Sequence, residues 1–208
     1  QSHANPEQVV IIGGGDCGTL SEVLKHPEVK QVVQVDIDQA VTQAAERFFP
    51  ELTARNDDPR ATLLFEDGVA WMRQAADNSV DVIIVDSTDP IGPGEGLFGA
   101  EFIRDCRRVL RDDGVMVGQS ESPFYHPDLM QRYHQAMADA GFSQRASLLF
   151  PQPVYPGGSI TCTLASSNAQ IAAPRPIATD IECRYYNYPL HQGLLATPAF
   201  MKAALTGK

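Results

Sequence analysis

The run Val9-Val10-Ile11-Ile12 passes directly into Gly13-Gly14-Gly15-Asp16-Cys17-Gly18. An unbroken branched run of this kind is the mark of a strand buried on both faces of a parallel sheet. The turn after it satisfies G-x-G-x-x-G through Gly13, Gly15 and Gly18, and Asp36 closes the next apolar run about 20 residues on. A strand, a glycine turn and a helix in that order leave few architectures open.

The rest of the chain keeps the alternation. Gln8 to Ile12, Gln31 to Asp36, Ala61 to Phe65, Val80 to Asp86 and Val115 to Ser120 read as strands. Between and after them the spacing predicts helices over Thr19 to Lys25, Asp38 to Phe49, Gly68 to Ala76, Gly99 to Leu110 and Pro127 to Ala140, with Asp38, Asp67 and Pro127 as starts. This is an α/β, Rossmann-like, mostly parallel sheet with helices on both faces. Ser143 to Phe150 and Ser159 to Ala165 are separated only by a Pro/Gly-rich stretch, too short for a crossover helix, so they form an antiparallel C-terminal strand pair.

One domain over 1–208 is expected: a lead-in over 1–7, a core over 8–165, a linker over 166–183 and a C-terminal segment over 184–208 with a last helix near Pro198 to Leu205. A net charge of -10 argues against nucleic acid, which demands a basic stripe. Cys17, Cys106, Cys162 and Cys183 form no CxxC pair and lack nearby histidines, so neither disulfides nor zinc are supported. No apolar run approaches the roughly 20 residues of a membrane span, and Gln1 to Pro6 does not resemble a signal peptide. A cytoplasmic protein without membrane contact is the expectation, and the abrupt first strand is compatible with residues having once stood before Gln1.

Ligands of such sheets bind beyond the strand carboxyl ends. Asp16, inside the glycine turn, repels a pyrophosphate and attracts an ammonium or sulfonium group. Asp36 is placed for ribose hydroxyls. Asp67-Gly68 follows the third strand, where Asp67 either accepts from an adenine amine or caps a helix, one oxygen serving each role. In Val85-Asp86-Ser87-Thr88-Asp89-Pro90-Ile91-Gly92-Pro93, two aspartates three residues apart stand in a loop stiffened by Pro and Gly. With Asp16 and Asp36 they should converge on one edge of the sheet, a costly arrangement unless cations join them. Metal binding competes as an account, but no histidine or acidic ladder completes a site. Gln119, Ser120, Glu121 and Ser122 either orient a substrate amine or cap the next turn. Tyr155 either packs in its loop or offers a ring face to an ammonium. His126 and His134 are expected at helix ends or on the surface rather than as bases.

These motifs together resemble the polyamine aminopropyltransferases, the spermidine synthase family, whose catalytic domain is a class I methyltransferase-like sheet. The resemblance rests on Ile11 to Gly18, Val85 to Pro93 and Gln119-Ser120-Glu121-Ser122-Pro123-Phe124, and runs from about His3 to the last helix. It implies decarboxylated S-adenosylmethionine as donor, held by Gly13, Gly15, Asp16, Asp36, Asp67, Gly68 and Asp86. It further implies Asp86 as the base, with putrescine or a similar diamine against Asp89, Gln119 and Tyr155. Methylthioadenosine would be released, no metal or further cofactor is implied, and a homodimer is expected. Two departures stand out. Cys17 replaces a further glycine, where a side chain would crowd the donor or resist the turn's backbone angles. The family's small β-rich N-terminal domain has no counterpart, so a catalytic domain alone, with weak or absent turnover, is expected. A methyltransferase shares the sheet, but Asp16 and Asp86 would repel its donor's carboxylate. An NAD-dependent dehydrogenase fits the glycines, but the chain has no Tyr-x-x-x-Lys pair and Asp16 opposes a pyrophosphate; a non-catalytic polyamine-binding module is the remaining alternative.

Overall fold

Val9, Val10, Ile11 and Ile12 are each at most 3% exposed, which is why their strand shows no polar alternation. In the computed structural model, which describes residues 1–171 and 181–206, this strand is β1 (Gln8–Gly13). Strands β2 (Gln31–Asp36), β3 (Ala61–Phe65), β4 (Val80–Asp86) and β5 (Leu110–Gln119) extend it in parallel. With β6 (Gln144–Pro151) and β7 (Ser159–Ser166) they form one seven-stranded sheet in the order β3-β2-β1-β4-β5-β7-β6, β7 running antiparallel to both its neighbours. The order reverses between β1 and β4, opening a crevice beyond their carboxyl ends.

Helices α1 (Gly18–Val23), α2 (Gln39–Phe48), α3 (Pro50–Thr53), α4 (Gly68–Gln74), α5 (Ala100–Val109) and α6 (Pro127–Asp139) occupy the crossovers. Leu20 of α1 packs with Val9, Ile11 and Val32 on one face of the sheet. Met72 of α4, Phe102 and Ile103 of α5 and Met137 of α6 pack with Val10, Ile12 and Ile83 on the other. Full burial of such side chains contributes about 1.5–3 kcal/mol each before chain entropy is counted.

Five features depart from the sequence expectation. Strand β5 begins at Leu110 instead of Val115, because Leu110 pairs with Val80 and a register shift precedes the Val82–Val115 pair. The polar run Arg111 to Gly114 within it looks like a turn and concealed the early pairing. The loop after β4 winds into a 3-10 segment over Gly92–Phe98, and α3 forms one turn behind Pro50. Helix α7 (Tyr188–Leu195) precedes α8 (Ala199–Thr206), its first turn capped by the Asn187 side chain accepting from the Leu190 N–H. His134 is not a surface residue: its Nε2 lies 2.6 Å from the buried Ser147 Oγ, and burial pushes its pKa down to about 4. Of the expected linker, 172–180 lie outside the described residues.

The turn closing β1 tolerates no side chain at its first position. Gly13 has φ +85°, and a Cβ there would lie 2.1 Å from the Asp86 carbonyl oxygen, which accepts the Gly14 N–H at 2.8 Å. Gly13→Ala is therefore expected to destabilise the fold by at least about 2 kcal/mol, read as a lower urea midpoint. An unchanged midpoint would contradict this account of the turn.

Candidate active site

The parallel strands deliver Gly13, Asp36, Asp86 and Gln119 to one edge of the sheet, with Gly13 opposite Asp86 in register. The glycine turn lies between two carboxylates. A Cβ on Gly14 would approach Asp86 Oδ2 to 3.2 Å, and one on Gly15 would approach Asp36 Oδ2 to 2.9 Å. Thr42 Oγ1 donates to the Gly15 carbonyl at 2.8 Å and ties the turn to α2. Cys17 does adopt the left-handed backbone (φ 64°) that a glycine would take without strain. Its side chain does not crowd the crevice; it turns inward, is fully buried and packs with Leu20, Leu24 and Val29.

Each carboxylate of the rim is held by one oxygen and left open at the other. Asp86 Oδ2 accepts from Thr19 Oγ1 at 2.6 Å, Asp16 Oδ1 from the Gly18 N–H and Asp36 Oδ1 from the Asp38 N–H. Asp67 caps α4 through Oδ1, which accepts from both Val69 and Ala70 N–H. Gln119 Nε2 donates to Asp89 Oδ1 at 3.3 Å. Among the described residues, the second oxygen of each has no hydrogen-bond donor and none of the five aspartates forms an ion pair. Elsewhere the chain treats acids differently. Asp58 has both oxygens on Arg60, and buried Asp81 meets Arg111 with one oxygen and the Glu7 and Gln8 N–H groups with the other.

The acids fall into two groups. Asp86 feels Asp16 and Asp36: burial raises its pKa, the Thr19 bond opposes that rise, and the two neighbouring charges add to it. Asp89 instead pairs electrostatically with Glu121, whose pKa is raised by burial and then by Asp89, with His126 and the Ser122 N–H opposing. Asp89 and Glu121 line a cavity of about 640 Å³ with Glu95, Ser120, His126 and Tyr133. Asp16 and Asp86 do not line it, so the carboxylates share an edge but flank two adjoining places.

Glu121 stands apart from its neighbours in a way that the sequence did not single out. It is 6% exposed, has φ 72°, and its Oε1 is buried without a partner. Tyr155 stands in the β6–β7 hairpin, half-buried, with its N–H on the Gln152 carbonyl; it does not line the Asp89 cavity. Beside Asp36, Ile37 and Val41 are 61% and 44% exposed, and Val41 Cγ1 would stand 3.0 Å from a Gly15 Cβ, so the crevice has an apolar shelf. Gly68 brings α4 against β1: a Cβ there would meet Ile12 Cγ2 at 2.6 Å. Among the described residues no group of three or more His, Cys, Asp or Glu side chains is arranged to hold a metal ion. No helix among them is long and apolar enough to cross a membrane.

Residues 1–174 match the spermine/spermidine synthase domain. A polyamine aminopropyltransferase of Methylococcus capsulatus is 52% identical over 98% of this chain and 72% of its own length. One of Alkalilimnicola ehrlichii is 53% identical over 99% and 73%. Among solved structures, a spermidine synthase in complex with the transition state analogue AdoDATO superposes with a TM-score of 0.94 at 35% identity, covering 100% of this chain and 72% of that one. A spermidine synthase from Thermotoga maritima gives 0.91 at 34%, covering 100% and 71%.

The Thr19 bond stabilises the charged form of Asp86, so removing it should favour the protonated form. Thr19→Val is expected to move the Asp86 carboxyl titration, followed by carbon NMR, to higher pH. A shift to lower pH, or none, would remove Thr19 from this account.

Proposed function

Because the chain belongs to the spermine/spermidine synthase domain family, we propose that it transfers the aminopropyl group of decarboxylated S-adenosylmethionine to a diamine such as putrescine, yielding spermidine and methylthioadenosine. The observation that carries this reading is the rim of half-satisfied carboxylates without protein cations. Open carboxylate oxygens in a partly dry crevice are sites for ammonium and sulfonium groups.

In this proposal the donor lies across the glycine turn. Asp36 accepts its ribose hydroxyls and the free oxygen of Asp67 its adenine amine, while Ile37 and Val41 give the base an apolar seat. Asp16 and Asp86 attract its aminopropyl ammonium, and neither Gly13 nor Gly15 has a side chain to obstruct the approach. The acceptor extends from Asp86 into the cavity of Asp89 and Glu121, oriented by Gln119, while Tyr155, outside the lining of that cavity, is given no contact with it. An alkyl ammonium has a pKa near 10.4 (about that of lysine) and carries no lone pair until it loses a proton. Asp86 takes that proton, and its raised pKa makes it the better base for the task. The neutral nitrogen then attacks the carbon beside sulfur. The C–N bond forms as the C–S bond breaks, the bonding pair stays on sulfur as neutral thioether, and the new secondary ammonium carries the positive charge. Asp86 afterwards returns its proton to solvent. A homodimer and a cytoplasmic location belong to the same proposal, the first read by light scattering.

Incubation with decarboxylated donor and putrescine, cadaverine or spermidine should yield methylthioadenosine by mass spectrometry, and Asp86→Asn should slow its release by about 10²–10⁴-fold while the donor still binds. Turnover by the variant at the normal rate would assign the proton to another group. Calorimetry should find the decarboxylated donor bound more tightly than S-adenosylmethionine, whose carboxylate meets Asp16 and Asp86. Equal affinity would favour a methyltransferase.

A further inference from the structure

Glu121 owes its place in the cavity to a backbone conformation that a glutamate does not choose freely. A non-glycine residue in the left-handed region costs about 1 kcal/mol or more and persists where its surroundings over-determine it. The surroundings here are two donors from one residue of β7. The Thr161 N–H reaches the Glu121 carbonyl at 3.0 Å and the Thr161 hydroxyl reaches the same oxygen at 2.8 Å. The Ser120 N–H in turn donates to the Thr161 carbonyl at 2.9 Å. Thr161 is fully buried, so no water competes for either bond.

Behind Thr161 runs a chain of buried hydroxyls. Thr163 Oγ1 donates to Ser120 Oγ at 2.8 Å, and Ser120 Oγ lies 2.9 Å from Thr161 Oγ1. Each hydroxyl has one proton. Thr161 Oγ1 also reaches the Ser120 carbonyl at 3.1 Å, so its one proton lies between the two carbonyls with the shorter contact to Glu121; with the Thr163 proton on Ser120 Oγ, the Ser120 proton points at Thr161. Ser147 Oγ, 3.3 Å from Thr163 Oγ1 and 2.6 Å from His134 Nε2, continues the chain to α6. Every member is thereby committed, and Thr161 cannot rotate without leaving a buried hydroxyl unpaired.

We propose that Thr161 is a positioning residue for the acceptor amine: its N–H and hydroxyl clamp the Glu121 carbonyl, and the clamp turns the Glu121 carboxyl into the cavity beside Asp89. This rests on the reading of the cavity as the acceptor's place. Thr161 touches neither reactant, so its effect is confined to acceptor binding. Loss of one such hydrogen bond is worth about 1 kcal/mol, a five- to tenfold change in affinity.

The test is calorimetric binding of putrescine to the whole chain saturated with methylthioadenosine, alongside steady-state kinetics. Thr161→Val keeps the shape and the N–H but removes the hydroxyl. It should weaken putrescine binding and raise the putrescine KM about five- to tenfold, with kcat and the donor KM within about twofold. Thr161→Ser restores the hydroxyl and should return both to near the wild-type values. Glu121→Gln should weaken putrescine on its own, and adding Thr161→Val to it should cost little more, because both changes act through one carboxyl. Unaltered putrescine binding in Thr161→Val, penalties that add in the double variant, or no rescue by serine would each overturn the proposal. Absence of putrescine binding to the wild-type chain would overturn it as well. Putrescine binding that follows the expected pattern without methylthioadenosine formation would sink the proposed reaction and leave the clamp standing.

Discussion

Burial of a carboxylate at the carboxyl edge of the sheet, with like charges beside it, is the constraint on which the site turns. Asp86 sits in a partly dry place with Asp16 and Asp36 close enough to raise its pKa. Its folded-state pKa therefore stands above the unfolded value. Folding binds the extra proton, so this group is neutral to stability below the unfolded pKa and costs stability progressively as pH rises to the folded one. Above that window the cost is fully present. The Thr19 hydroxyl offsets part of it, and a bound cation is the natural way to offset more. A ligand that binds only the folded state stabilises by mass action, so a cation that relieves the cost of this buried, like-charged carboxylate also stabilises the fold.

The hydrogen bonds divide the carboxylates into two kinds. Asp58 and Asp81 use both oxygens within the protein and meet an arginine; they brace the fold. The rim aspartates use one oxygen each: Asp16, Asp36 and Asp67 on an N–H two residues on, Asp86 and Asp89 on the Thr19 and Gln119 side chains from other elements, and each bond fixes the orientation of the group. A carboxylate held this way loses little rotational freedom when a ligand arrives. For Asp16, Asp36 and Asp67 the donors follow from the chain itself: turns after strands supply N–H groups two or three residues on, and Asx-type bonds take them.

Strand ends were legible in the sequence because burial on both faces leaves long branched runs with sharp limits, and parallel topology places every such limit at one edge. Asp36 and Asp86 could be located from their strands alone, and Asp67 could be read as a cap because helix starts announce themselves locally. What escaped notice depended on non-local pairing or on backbone strain. The start of β5 is set by Val80 across the sheet, not by Arg111 to Gly114. The inward turn of Cys17 is set by the apolar space beneath α1. Glu121 looks like any polar residue at a strand end, and only its φ of 72° and the bonds from Thr161 separate it from Ser120 and Ser122. Helix α7 had a readable cap in Asn187, but its mixed apolar pattern hid the period.

Two groups of acids rather than one suit a reaction in which positive charge is moved and not created. In the proposed transfer, sulfur loses its charge as nitrogen gains one, a displacement over roughly the length of the forming bond. Fixed negative groups nearby stabilise the charge at either end to a similar degree, so they change the barrier less than they change binding. Proton removal and alignment must then supply most of the acceleration, through a base whose pKa is raised and through the effective molarity of two reactants held in line. The separation seen here serves both needs. Asp16 and Asp36 bear on Asp86, Asp89 bears on Glu121 in the neighbouring cavity, and in the proposed transfer the first group would face the donor and the second the far part of the amine, with the short loop from Asp86 to Asp89 between them.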